Sequence, residues 1–167
     1  KYSFVPGEMY SLRANAYSII ETLDLFGHGW NRSFGSVGLK LAKELIISLV
    51  GSHRGTLSGA RSALLPQNNF MGPSTSKWET ISKYRYSLVI ENSLEFMSEK
   101  LVDSILAGSM PVYVGPPTET FGIPKSLVFS AGPSIESVKL AYERAVDSDW
   151  DVWKGAARDW ITDPSSQ

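Results

Sequence analysis

Two runs of sequence, Tyr86-Ser87-Leu88-Val89-Ile90 and Pro111-Val112-Tyr113-Val114-Gly115, limit most strongly how this chain can fold. Both are largely apolar and rich in β-branched or aromatic residues, the composition of a strand buried on both faces. Between them lies Glu99–Ala107, where Leu101, Val102, Ile105 and Leu106 fall on one side of a helix. Gly108 follows, a residue suited to the left-handed turn that ends helices. A strand, a helix and a second buried strand in that order predict a parallel pair joined by a crossover helix. The same alternation runs through the rest of the chain. A strand is expected at Tyr2–Val5, closed by Pro6-Gly7. A helix over residues 8–22 carries Met9, Leu12, Ala16, Ile19 and Ile20 on its inner stripe, and Leu23–Gly27 resumes strand character. A second helix is expected over residues 37–49, a short strand at Leu127–Phe129, a helix capped by Ser134 and running to about Val146, and a last helix over Trp150–Ile161. Residues 51–77, rich in Gly, Ser, Asn and Pro, read as loops with one short helix near Ala60–Leu65. The expected fold is α/β: a parallel sheet with helices on both faces, one domain over residues 1–162 and a frayed tail at 163–167. Such sheets bind ligands beyond the carboxyl ends of their strands. That directs attention to Pro6–Arg13, Gly27–Asn31, Glu91–Lys100 and Gly115–Phe121.

Composition removes several function classes. Sixteen Lys and Arg against seventeen Asp and Glu leave a net charge of −1, without the basic excess that bulk nucleic-acid binding needs. With no cysteine, disulfides, thiolate metal sites and Cys nucleophiles are excluded. No apolar run approaches the ~20 residues of a membrane-spanning helix. Gly27-His28-Gly29 lacks the third glycine of a dinucleotide-binding turn, and neither a phosphate loop ending in Gly-Lys-Ser/Thr nor a G-x-S-x-G elbow occurs. His28, in a Gly-flanked turn after a strand, is a weak ligand candidate, and His53 reads as a solvated loop residue. Asp147-Ser148-Asp149-Trp150-Asp151 has the form of a metal-binding run. Val152 stands where a calcium loop needs glycine, however, and these acids equally well end one helix and cap the next. Asn31-Arg32-Ser33 is a formal glycosylation acceptor with no other feature of secretion beside it.

Chemistry concentrates between Ile90 and Pro117. A buried strand ends at Ile90, polar Glu91-Asn92-Ser93 follow at once, and Ser98-Glu99-Lys100 opens a helix. Polar groups held just beyond a strand need partners. A sugar nucleotide would supply them: its diphosphate suits a cation and free backbone N–H groups, and its hydroxyls suit carboxylate and amide partners. On that reading Lys100 gives the charge, Ser98 a donor, and Glu99 an acceptor for vicinal ribose hydroxyls. The purely structural reading makes Ser93 or Ser98 a helix cap, Glu99 a first-turn acid and Lys100 a solvated side chain.

In this region the chain resembles the α-1,3/1,4-fucosyltransferase family. Its signature runs approximately K-(Y/F)-x-F-x-L-x-F-E-N-S, then T-E-K, a helix, and a P-V-x-x-G-x-P segment. Here Lys83-Tyr84-Arg85-Tyr86-Ser87-Leu88-Val89-Ile90-Glu91-Asn92-Ser93 is followed by Ser98-Glu99-Lys100 and, after one helix, by Pro111-Val112-Tyr113-Val114-Gly115-Pro116-Pro117. More thinly, Arg13 and Leu23-Asp24-Leu25-Phe26-Gly27 are similar to an upstream Arg and a D-x-x-G strand end, and Lys125-Ser126 to a later strand entry. The resemblance implies the C-terminal, Rossmann-like half of a two-domain GT-B enzyme that transfers fucose from GDP-fucose to a glycan hydroxyl with inversion. Arg13 and Lys100 would bind the diphosphate and Glu99 the ribose. Glu91 and Asn92 would face the nucleotide or sugar, with Ser93, Phe96 and Ser98 alongside. No metal or other cofactor is implied.

Departures from the family pattern are specific. The spacing between Asn-Ser and Glu-Lys is shorter than usual, Ser98 replaces a Thr, and Phe96 stands where the family carries a Tyr, so a phenolic hydrogen bond is lost. The general base that takes the acceptor's proton belongs to the N-terminal half in such enzymes and is expected outside this chain. Lys1 is not Met, and the sequence is expected to be a piece of a longer protein that supplies this acceptor domain. The expected partners are a GDP-sugar and a glycan acceptor, with no nucleic acid. Cysteine-free composition favours a bacterial-type, cytoplasmic location, with peripheral association at the inner membrane as a further expectation. Two other readings stay open: a different nucleotide-sugar transferase, exostosin-like or GDP-mannose-using, and a non-catalytic α/β binding module. The second would use the stripe of Trp150, Trp153 and Trp160 as a packing or partner face.

Overall fold

A computed structural model describes residues 69–163, together with Met9, Leu12, Arg13, Asn15, Ala16, Ile20 and residues 23–26. The chain groups into two compact units, residues 1–4 with 10–75 and residues 5–9 with 76–167. In the first unit, Leu12, Arg13, Asn15 and Ala16 are helical, as the apolar spacing predicts, with Leu12 and Ala16 buried, but Ile20, inside the expected helix over 8–22, is not helical, nor is Met9 of the second unit. Strands β1 (Leu25–Phe26) and β2 (Phe70–Gly72) pair in parallel, and the Leu25 N–H donates to the Asn69 carbonyl at 3.0 Å. Strand β2 corrects the expectation of loop throughout residues 51–77. Three residues are too few to show a period, so pairing rather than pattern defines the strand. The expected strand at Tyr2–Val5, the helix at 37–49, the turn at Gly27–Asn31, His28, His53, the short helix near Ala60–Leu65 and residues 164–167 lie outside the described residues.

The second unit contains the strand–helix–strand core. It opens with α1 (Lys77–Ile81), a short helix that begins at the last residue of the stretch read as loop. Its cap is Ser76, whose hydroxyl accepts from the Glu79 N–H at 3.3 Å. Then follow β3 (Tyr86–Ile90), α2 (Lys100–Leu106), β4 (Met110–Val114), β5 (Phe129–Ser130), α3 (Ile135–Asp147) and α4 (Trp150–Thr162). Strands β3, β4 and β5 form one parallel sheet in that order. The fold is therefore α/β with parallel, Rossmann-like strand–helix alternation, as expected. Gly108, at φ 78°, takes the left-handed turn after α2.

Alternation along the strands assigns a helix to each face. On β3, Ser87 meets Ser104 of α2 through their hydroxyls, and Val89 joins Leu101 and Ile105 in one core. Register pairs Val89 with Tyr113, so Tyr113 shares the α2 face. One residue out of step, Tyr86 packs edge-on against Tyr142 of α3, ring centroids 5.9 Å apart. Val138, Ala141 and Ala145 are the buried positions of α3. Capping follows the sequence: Ser134 accepts from the Ser137 N–H, and Asp149 accepts from the Asp151 and Val152 N–H groups. The acidic run at 147–151 thus ends α3 and caps α4. Between β4 and β5 the expected strand at Leu127–Phe129 is displaced. Residues Lys125–Leu127 form a 3-10 turn and pairing begins at Phe129. Pro124 fixes the entry to that turn, and its carbonyl accepts from the Leu127 N–H at 3.1 Å.

The tryptophans of α4 are core and clamp residues. Trp153 is buried and its indole donates to the Leu127 carbonyl at 3.0 Å, while the Trp160 indole donates to the Gly122 carbonyl at 3.1 Å. Both bonds fasten the β4–β5 connection to the helix. Trp153→Phe leaves the Leu127 carbonyl unsatisfied in the core and should cost about 1–3 kcal/mol. Urea unfolding read by far-UV circular dichroism checks this; an unchanged midpoint would show that the bond does not hold the connection.

Candidate functional site

Glu91 is the first residue past β3, yet it continues the ladder: its N–H donates to the Val114 carbonyl at 2.8 Å. Continuing the register sets it opposite Gly115, on the face that carries Val89 and Tyr113. There the carboxylate is completely buried. Oε1 accepts from the Ser98 backbone N–H at 3.0 Å. Oε2 accepts from the Ser98 hydroxyl at 2.7 Å and from Lys100 Nζ at 3.2 Å. A buried carboxylate without such partners would be costly, and this one has two hydrogen bonds and a counter-charge. The result is a closed loop, 91–98, whose two ends are tied together at the carboxyl end of the sheet.

The sequence-predicted residues divide into three groups around that knot. Glu91, Ser98 and Lys100 are brought together. The Lys100 side chain is two-thirds buried. Asn92, Ser93 and Phe96 lie on the loop itself. The Asn92 carbonyl accepts from the Met9 N–H at 3.1 Å, and the Ser93 hydroxyl accepts from the Glu95 N–H at 3.3 Å, which shapes the turn. Phe96 is 65 % exposed and Leu94 beside it 43 %. Glu99 points elsewhere, to Lys77 Nζ at 3.4 Å, and Lys77 also pairs with Asp103. Its own backbone N–H, then the Lys77 ammonium, hold the Glu99 carboxyl below the usual range. Burial opposes charge on Lys77, but Asp103 and Glu99 outweigh it and raise the ammonium's pKa. Arg13 is a half-buried helical residue of the first unit.

Glu99 holds the N-cap position of α2 without a side-chain capping bond, while the Ser98 hydroxyl donates to Glu91 and accepts from the Lys100 N–H at 3.5 Å, so it serves the helix start and the carboxylate together. Three residues of the site were not singled out from sequence. Lys77 is one, hidden in a stretch that read as loop. Tyr113 and Gly115 are the others, and extending the parallel register by one step past Ile90 would have found them. A Cβ on Gly115 would sit 2.2 Å from Tyr113 Oη and 2.9 Å from Glu91 Cγ. Only glycine lets the phenol and the carboxylate share that corner. Tyr113 is 1 % exposed, and its hydroxyl has no hydrogen-bond partner among the described residues. Burial first, and the Glu91 charge second, push the phenol pKa well above its ordinary value.

Comparison with known proteins gives one informative likeness. Over 70 residues, 41 % of this chain, the sequence is 37 % identical to a fucosyltransferase-like protein of Arabidopsis thaliana. The match takes in 14 % of that protein's length. No family model matches the chain, and no solved structure does. The relationship established is thus a loose, partial one to a fucosyltransferase-like protein.

Two measurements probe the knot. Gly115→Ala forces Tyr113 or Glu91 to move and should destabilise the protein by about 1–3 kcal/mol, the usual range for overpacking. A melting temperature equal to that of the parent would contradict the close approach. Above pH of about 10 an unfolded Tyr113 ionises while the folded phenol stays protonated. The unfolded state then binds fewer protons, and stability falls as pH rises. Tyr113→Phe should flatten that alkaline loss, measured as urea midpoints between pH 9 and about 11.5. Parallel curves for the two proteins would show that the phenol is not held neutral.

Proposed function

We propose that this chain is the donor-binding part of an inverting glycosyltransferase that moves fucose from GDP-fucose to a glycan hydroxyl, the acceptor domain and general base lying outside it. The observation that carries the reading is the Lys100 ammonium, held by a buried Glu91 at the carboxyl end of two adjacent parallel strands. Ligands of parallel α/β sheets bind at that end. The partial likeness to a fucosyltransferase-like protein supports the same class.

Departure of GDP develops negative charge on its diphosphate. A cation that reaches that charge stabilises the transition state. Lys100 has three ammonium hydrogens, and Glu91 takes one of them among the described residues. On this reading the ammonium turns from Glu91 to the diphosphate when the donor binds. Glu91 is enclosed, so on this reading it acts through Ser98 and Lys100 and does not touch the sugar. Glu99 turns from Lys77 to the ribose hydroxyls, a small loss since an exposed pair is worth about 0.2–1 kcal/mol. Asn92, Ser93 and the exposed ring of Phe96 line the loop along which the nucleotide or sugar lies. The reading needs no metal.

Calorimetric titration with GDP, GDP-fucose, GDP-mannose and UDP-glucose tests the assignment. GDP-fucose should bind best, and Lys100→Ala should weaken it by about 1.5–3 kcal/mol, the cost of a hydrogen bond to a charged group. Equal weak binding of all four ligands, or a Lys100→Ala protein that binds like the parent, would overturn it.

A further inference from the structure

Among the described residues the buried Tyr113 hydroxyl has no acceptor, and it stands next to a buried carboxylate whose lone pairs are shared among others. Buried polar groups in folded proteins nearly always have partners, and an orphan hydroxyl is destabilising where it stands. Its place beside Glu91 is fixed by sequence. Gly115 keeps the corner open, and a side chain of any size there would collide with both groups. Of the donors on Glu91, the Ser98 N–H and hydroxyl belong to the loop itself, whereas Lys100 Nζ ends a flexible four-carbon stem on a side chain that is one-third exposed.

We propose that Tyr113 is a positioning residue of this site, a reserve hydrogen-bond donor that takes the place of Lys100 on the Glu91 carboxylate when the ammonium turns to an anionic ligand. The inference rests on the donor-site reading above and deepens it. An ammonium drawn to a diphosphate leaves Oε2 of Glu91 with the Ser98 hydroxyl alone, in a place water does not reach. A buried carboxylate so exposed to loss of its counter-charge would resist the move. The phenol lowers that resistance. A phenol is protonated at neutral pH in any case, and burial and the Glu91 charge oppose its ionisation further, so a proton is on hand to donate. The ligand-free protein holds the orphan hydroxyl, and the liganded protein uses it.

The test is a double-mutant cycle on GDP-fucose affinity with Tyr113→Phe and Lys100→Met. Ligand-free Tyr113→Phe should melt at or above the parent temperature, since it removes an unsatisfied buried group. It should nevertheless bind GDP-fucose about tenfold more weakly, the size of one hydrogen bond to a charge. In the Lys100→Met background the same substitution should change affinity less than about twofold, because no ammonium leaves Glu91. A packing role for the ring would instead give the same loss in both backgrounds, and that result overturns the proposal. As a second measurement that needs no Lys100 variant, the 13Cζ resonance of labelled Tyr113, assigned by its absence in Tyr113→Phe, should shift when GDP-fucose is added. A resonance that stays in place while ligand binds also overturns it. A parent protein that binds none of the nucleotides fails the donor-site reading itself, whereas a parent that binds with no Tyr113–Lys100 coupling fails only the exchange of partners.

Discussion

A carboxylate fully enclosed by protein, one residue beyond the end of a strand, dictates much of what surrounds it. Glu91 cannot stay charged there without donors, and the chain provides them by folding residues 92–97 into a loop that returns Ser98 and Lys100 to its two oxygens. The loop's shape, the start of α2 and the position of the Lys100 ammonium all follow from satisfying that one group. Removing Glu91 would leave a backbone N–H, a hydroxyl and an ammonium without acceptors at once.

The sheet carries the other half of the arrangement. Because β3 and β4 pair in parallel and in register from Tyr86 with Met110 to Ile90 with Val114, Glu91 must face Gly115 and stand beside Tyr113. Fold and site are therefore one construction. The helices that cover the sheet set which face is inward, the pleat puts Glu91, Tyr113 and Gly115 on the α2 face, and the missing side chain at 115 gives them room. Anchoring of the β4–β5 connection by Trp153 and Trp160 keeps this end of the sheet in place.

Much of this was legible in the sequence, and the exceptions have physical causes. The strands at Tyr86–Ile90 and Met110–Val114 announce themselves because a strand buried on both faces must be apolar throughout, and the helices after Ser134 and Asp149 because their caps are short polar residues at the right place. Strand β2 and helix α1 were not visible, being three and five residues long and defined by partners elsewhere in the chain. At the site, Glu91, Ser98 and Lys100 could be picked out by type and order. Their mutual geometry could not, because a Ser before a helix looks like a cap whether or not its hydroxyl also serves a carboxylate seven residues upstream, as this one does. Glu99 and Lys100 are adjacent in sequence yet engage different partners, Lys77 and Glu91, since neighbouring residues on a helix do not face the same way. Tyr113 was hidden by its own burial, since a tyrosine inside an apolar strand reads as core.

Amide hydrogen exchange of the protein with and without saturating GDP-fucose tests most directly the proposal that a sugar nucleotide sits on the loop closed by Glu91. Slowed exchange should concentrate in residues 91–100 and at the ends of the adjacent strands, with α3 and α4 unchanged. Slowed exchange confined to α3 or α4, with residues 91–100 exchanging at the same rate in both samples, would contradict it.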